Sequence, residues 1–105
     1  MIGSMTVTEL KQKLDQNEEL VLIDVREQGE WDEAHIEAAQ FLPLSNFQEE
    51  MKKLSDKGAT IVCQCRSGKR SLNAAMMLQD EGFENLYNLE GGILAWVEAG
   101  FPTKA

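Results

Sequence analysis

Apolar residues in this chain come as short runs of strand length and as stripes at helical spacing, and the two kinds alternate. Leu20-Val21-Leu22-Ile23-Asp24-Val25 is nearly unbroken, as expected of a strand covered on both faces. Ala59-Thr60-Ile61-Val62-Cys63 reads the same way. Phe41-Leu42 is a weaker strand closed by Pro43, and Leu86-Tyr87-Asn88-Leu89 is a last short one. Between them, Thr8 is placed to cap a first helix with Leu10 and Leu14 on one face. Ser45 and Gln48 have capping-box spacing at the head of a stripe of Phe47, Met51 and Leu54. From about Arg70 a third helix carries Leu72, Ala75 and Met76 on one face and stops near Gly82. A closing helix with Ile93, Trp96 and Val97 runs from Gly91-Gly92 to Gly100, with Pro102 beyond.

Strands alternating with helices imply crossover connections and a parallel sheet with helices on both faces, the α/β class. There is no repeat, linker or low-complexity tract, and 105 residues bury one core, so residues 1–105 read as a single domain. In such sheets ligands sit beyond the carboxyl ends of the strands. Cys65 falls at that edge, on the turn from the 59–63 strand into the next helix.

Charge sharpens this. The net charge of −8 argues against nucleic acid and anionic membranes as partners, and no apolar run approaches the roughly 18 residues of a membrane span. The start, Met1-Ile2-Gly3-Ser4-Met5, lacks the basic end and apolar stretch of a secretory signal, so a cytoplasmic location is expected. Against that acidic background Arg66, Lys69 and Arg70 crowd the five positions after Cys65. Alone, such a cluster reads as solvated loop charges; beside a cysteine it reads as a site for a small anion.

An ordinary cysteine has a pKa of about 8.5 and is only roughly 3% thiolate at pH 7. Nearby cations and a helix N-terminus lower that value, which makes Cys65 the candidate nucleophile. Arg66, Ser67, Gly68, Lys69 and Arg70 form the candidate binding loop. Gly68 permits a tight turn whose successive N–H groups make an anion nest, and Arg70 offers a planar, two-pronged donor set. No histidine follows the cysteine, so activation falls to the loop's own field rather than to a general base.

The other chemistry-bearing residues have plainer readings. Asp24 and Arg26 end a neighbouring strand and are candidates for secondary contacts. An Asp24 that fixes loop amides, and an Arg26 paired with Glu27 or Glu30, are equal alternatives. Cys63 reads as core packing, with a resolving thiol as the alternative, and His35 as a turn residue bonded to backbone. Two cysteines and one histidine fall short of a zinc site and of a disulfide framework, so no metal or cofactor is expected.

Sulfur transfer and phosphoryl transfer both suit a thiolate in an amide-lined ring. The spacing here is Cys-x4-Arg. Tyrosine and dual-specificity phosphatases have a similar loop one residue longer, wide enough for a tetrahedral phosphate, which leaves a Cys-dependent phosphatase or arsenate reductase as the lesser alternative.

Leu22-Ile23-Asp24-Val25-Arg26, Glu30 ahead of His35-Ile36, the Cys65 to Ser71 loop, Ala74-Ala75, Gly82-Phe83, Gly91-Gly92, Ala95-Trp96 and Ala99-Gly100-Phe101-Pro102 follow one another in an order specific to one family. From about Val7 to Pro102 the chain resembles the single-domain rhodaneses, the thiosulfate sulfurtransferase family. The resemblance implies a five-stranded parallel sheet and a core of about residues 7–102. It also implies a Cys65 thiolate that takes the outer sulfur of thiosulfate, leaving a persulfide held by the amides from Arg66 to Arg70. The acceptor it implies is cyanide in an assay and a thiol or dithiol protein, such as a thioredoxin-like one, in the cell. A carrier or interaction module that holds the persulfide for a specific partner is the alternative. The cationic loop suits doubly charged thiosulfate better than mercaptopyruvate.

Two departures from the family stand out. Many relatives read Gly-His-Ile and then Gly-Ala where this chain has Ala34-His35-Ile36 and Ala38-Ala39. Alanine there costs about 0.5–1 kcal/mol where the backbone is strained. Gln64 replaces a customary aromatic, implying a more polar pocket wall.

Overall fold

A computed structural model describes residues 1–105. Five strands form one parallel sheet in the order β1-β5-β4-β2-β3. These are β1 (Ile2–Met5), β2 (Val21–Asp24), β3 (Gln40–Phe41), β4 (Thr60–Gln64) and β5 (Asn85–Leu89). The helices are α1 (Val7–Asp15), α2 (Gln28–Glu33), α3 (Phe47–Glu50), α4 (Lys69–Asp80) and α5 (Gly92–Glu98), with short 3₁₀ turns at Leu44–Asn46 and Met51–Lys53.

The two faces of the sheet are separate cores, and strand alternation assigns residues to each. Ile23, Val25, Ile61 and Cys63 pack with Ala74, Ala75 and Leu78 of α4 and with Phe47. Leu22, Val62 and Leu89 pack on the other side with Leu10 of α1 and with Ile93 and Trp96 of α5. Successive buried side chains thus serve opposite layers, which is why the strand sequences lack polar alternation.

Several local expectations shift. The cap of α1 is Thr6 rather than Thr8: its hydroxyl accepts from the Glu9 amide at 3.1 Å, while the Glu9 carboxylate accepts from the Thr6 amide at 3.0 Å. The Ser45 box does not form, because the Ser45 hydroxyl donates instead to Glu27 Oε1 at 2.7 Å. The 44–53 stretch is accordingly broken into short helical turns, though Phe47 is still buried. On α4 the buried face is Ser71, Ala74, Ala75 and Leu78, leaving Leu72 and Met76 exposed; small side chains let the helix sit close to the sheet. On α5, Val97 faces outward while Ile93 and Trp96 are buried.

Strand β1 has no apolar run to announce it. It pairs with β5 from Ile2 opposite Leu86 to Met5 opposite Leu89. Gly3 fits closely there, since a Cβ would lie 2.8 Å from the Tyr87 ring and the ring would have to move.

Asp24 and Arg26 find each other. The buried Asp24 carboxylate accepts from the Arg26 amide at 3.0 Å and from its Nη2 at 2.8 Å, and Nη2 also donates to the Ala34 carbonyl at 2.6 Å. This ties the end of β2 to the end of α2. Neither residue is hydrogen-bonded to the Cys65 loop, and Arg26 pairs with neither Glu27 nor Glu30. Ala34 is in extended backbone, and Asn17 is the one non-glycine residue at positive φ, so the alanines at 34, 38 and 39 carry no strain. Removing one partner of a buried ion pair strands the other's charge. Arg26→Met is therefore expected to lower stability by about 3–5 kcal/mol in urea unfolding.

Candidate active site

Strand β4 ends at Gln64 and delivers Cys65 to the carboxyl edge of the sheet, one loop ahead of α4. The Gly68 amide donates to Cys65 Sγ at 3.0 Å and the Ser71 hydroxyl at 3.3 Å. Gly68, at φ +113°, caps α4, so the positive end of a twelve-residue helix lies at the sulfur.

The loop's carbonyls are held on the outside. The Cys65 carbonyl accepts from the Ile93 amide at 2.9 Å and from Gln64 Nε2 at 2.8 Å, and the Arg66 carbonyl accepts from the Leu94 amide at 3.2 Å. The Gly68 carbonyl accepts from Asn88 Nδ2 at 2.9 Å. The first turn of α5 can come this close because residue 92 is glycine at φ +56°. A Cβ there would lie 2.4 Å from the Cys65 carbonyl oxygen. Gln64 is fully buried and supports the loop's backbone; its Oε1 has no hydrogen-bond partner.

Burial pushes the Cys65 thiol up, but the Ser71 hydroxyl and the amides of Ser71, Gly68 and Ser67 outweigh it and hold the thiol below its ordinary range. Hydrogen-bond donors, more than the cations expected from the sequence, account for the lowering. Arg66 and Lys69 are exposed and make no ion pair. Arg70 is turned to Glu30: Nη1 meets Oε1 at 2.7 Å and Nη2 meets Oε2 at 2.8 Å.

Two contributors escape the sequence reading. Ser71 was visible only as the end of the loop motif, and Asn88, at the end of β5, was read only as part of a strand. The Ser71 hydroxyl sits 2.5 Å from Asn88 Oδ1 as well as 3.3 Å from the sulfur. A polar residue within the last short strand is the one local signal that marks Asn88.

The site is that of an α/β domain with a buried cysteine whose sulfur faces backbone amides at the start of a helix. A family model for the rhodanese-like domain matches residues 6–99, and the chain belongs to that family. Thiosulfate sulfurtransferase GlpE of Coxiella burnetii is 34% identical over 102 residues, spanning 97% of this chain and 90% of that one. Adenylyltransferase and sulfurtransferase MOCS3-2 of Zea mays is 32% identical over 107 positions, which cover 93% of this chain and 22% of that protein. The solution structure of the rhodanese-like domain of Alr3790 from Anabaena superposes with a TM-score of 0.90 at 25% identity, covering all of this chain and 80% of that one. The chain spans about half the length of a Synechocystis relative at 42% identity.

Two outcomes follow from these bonds. Ser71→Ala removes a donor that stabilises the thiolate, so the midpoint of the pH dependence of Cys65 alkylation by iodoacetamide is expected to move upward. The Arg70 guanidinium holds the Glu30 carboxyl down to about 2 from an ordinary 4.5. Because the folded value is the lower one, this stabilisation is complete above pH 4.5 and is lost as pH falls toward 2. Glu30→Gln is expected to flatten that part of the acid-unfolding curve.

Proposed function

We propose that this chain is a sulfurtransferase that moves a sulfane sulfur through a persulfide on Cys65. The observation that carries the reading is the Cys65 sulfur, held below its ordinary pKa range by the Ser71 hydroxyl and the loop amides. The thiolate attacks the outer sulfur of thiosulfate. A sulfur–sulfur bond forms to Cys65 as the bond within thiosulfate breaks, and the electron pair leaves with sulfite. Charge is conserved: a thiolate and a dianion give a persulfide anion and sulfite.

Cys65 is the catalytic residue. Arg66, Ser67, Gly68, Lys69 and Arg70 form the binding loop, with amide donors for the persulfide and with Arg66 and Lys69 drawing anions toward it. Asp24 and Arg26 act at one remove, by fixing the end of β2. The sulfur then passes to a second nucleophile: cyanide gives thiocyanate and regenerates the thiolate, and a thiol or dithiol protein is the cellular acceptor. The likeness to thiosulfate sulfurtransferase GlpE supports thiosulfate as a donor. Two free cysteines suit the reducing cytoplasm.

A second reading is a persulfide carrier for a defined partner. It is favoured by relatives such as MOCS3-2, in which the matching segment is 22% of a larger protein named for two activities. Phosphatase or arsenate-reductase chemistry is disfavoured by the Cys-x4-Arg spacing.

The intact mass of wild type and Cys65→Ala, before and after thiosulfate, tests the mechanism. A gain of one sulfur atom in wild type alone, reversed by cyanide, is expected. A gain that survives in Cys65→Ala would refute it. A wild type that takes up sulfur only from a partner protein would favour the carrier reading.

A further inference from the structure

Arg70, in the first turn of α4, is the loop cation with the two-pronged donor set suited to grip an anion, yet both prongs of its guanidinium are taken by Glu30. Glu30 is itself anchored, since its Oε1 also accepts from the Glu27 amide at 3.1 Å as part of the box that starts α2. The carboxylate is ionised throughout the neutral range. Its charge cancels that of Arg70, so of the three loop cations only Arg66 and Lys69 remain uncompensated, and both are solvent-exposed.

The pair lies within electrostatic reach of the sulfur. Glu30 holds the Arg70 guanidinium above its ordinary range, and the charge of Cys65 adds to that effect, with Glu27 contributing too. A charge change at either member of the pair is therefore felt where the donor must bind.

We propose that Glu30 is a specificity-determining residue that, by occupying Arg70, limits how strongly the loop favours doubly charged donors over singly charged ones. This rests on the sulfurtransferase reading for its substrates, but not for its electrostatics. Glu30 acts through Arg70 and is a positioning residue, not a catalytic one. A dianion gains from Arg70 only by displacing a carboxylate from it, whereas a monoanionic thiosulfonate has less to gain from that exchange.

The test separates the two layers. Cys65 is alkylated at low ionic strength with anionic iodoacetate and with neutral iodoacetamide. Cys63 does not compete, because burial pushes its thiol up to about 12. The ratio of the two rates reports the charge felt at the sulfur without any sulfur chemistry. Glu30→Gln keeps an acceptor for the Glu27 amide, since glutamine serves the same capping role. The ratio is expected to rise severalfold in Glu30→Gln, to fall in Arg70→Gln, and to return near the wild-type value in the double variant. Each single variant tests the proposal alone should the other fail to fold. In Glu30→Gln the KM for thiosulfate is expected to fall more than the KM for methanethiosulfonate. An unchanged ratio in a folded Glu30→Gln, or single variants that shift the same way, overturns the proposal. Ratios that shift as expected without sulfur uptake from thiosulfate would instead overturn the donor assignment and leave the charge control standing.

Discussion

A five-residue loop can present its N–H groups to one side only if its carbonyls are satisfied on the other. Here the Cys65 and Arg66 carbonyls go to the first amides of α5, and the Gly68 carbonyl goes to Asn88. Each bond is ordinary, worth about 0.5–1.5 kcal/mol net. Their joint effect is directional: with the carbonyls fixed outward, the amides of Ser67 and Gly68 are left to serve the sulfur. The requirement extends beyond the loop. It needs a glycine at 92 so that α5 can approach, a left-handed residue at 68 to start α4, and a β5 that ends beside the loop. The adjacent β4 and β5 supply that last condition by pairing in register from Thr60 opposite Asn85 to Cys63 opposite Asn88.

The two cysteines show that burial alone does not decide reactivity. Cys63 and Cys65 lie in one core cluster and are 0% and 1% exposed. Desolvation, with the charge of Cys65 adding to it, pushes the Cys63 thiol up to about 12, so Cys63 behaves as a small apolar side chain. Cys65 suffers desolvation too but sits past the end of the sheet, where donors are free to turn toward it. Inside β4 the amides are committed to the neighbouring strands. Two residues along the chain separate a thiol pushed up by burial from one held below its ordinary range, because the ladder stops between them.

Much of this was legible in the chain. The runs at 20–25 and 59–63 became β2 and β4 because continuous apolar sequence suits only a strand with both faces covered. Cys65, Gly68 and the helix after them formed a local pattern and were found as one. What escaped had little or no local signature. Strand β1 is held by its pairing with β5 and by a glycine that clears Tyr87. Asn88 lies 20 residues from the carbonyl it holds, and Glu30 lies 40 from Arg70. Charge follows the same rule: three cations in five positions are additive in sequence, and a carboxylate 40 residues away cancels one of them. The helix faces failed differently. Leu72 and Met76 share a spacing with the buried face of α4, but small residues fit closer to the sheet and won the inner side.

Helix α2 joins the packing of the sheet edge to the charge of the loop. It has six residues and none is fully buried; its apolar hold on the sheet is Trp31, whose ring lies 5.1 Å from that of Phe41 in β3. Polar ties along its length add to that contact. Ser45 holds Glu27, Arg26 holds the Ala34 carbonyl, Arg70 holds Glu30, and His35 stacks on Trp31 at 3.7 Å while its Nδ1 lies 3.0 Å from the Trp31 carbonyl. An element placed partly by charged groups responds to charge. Anything that competes for Arg70, such as an anionic donor drawn into the loop, also loosens one of the ties on α2. Helix α2 and the start of α4, where the Cys65 loop ends, are thereby linked through one guanidinium.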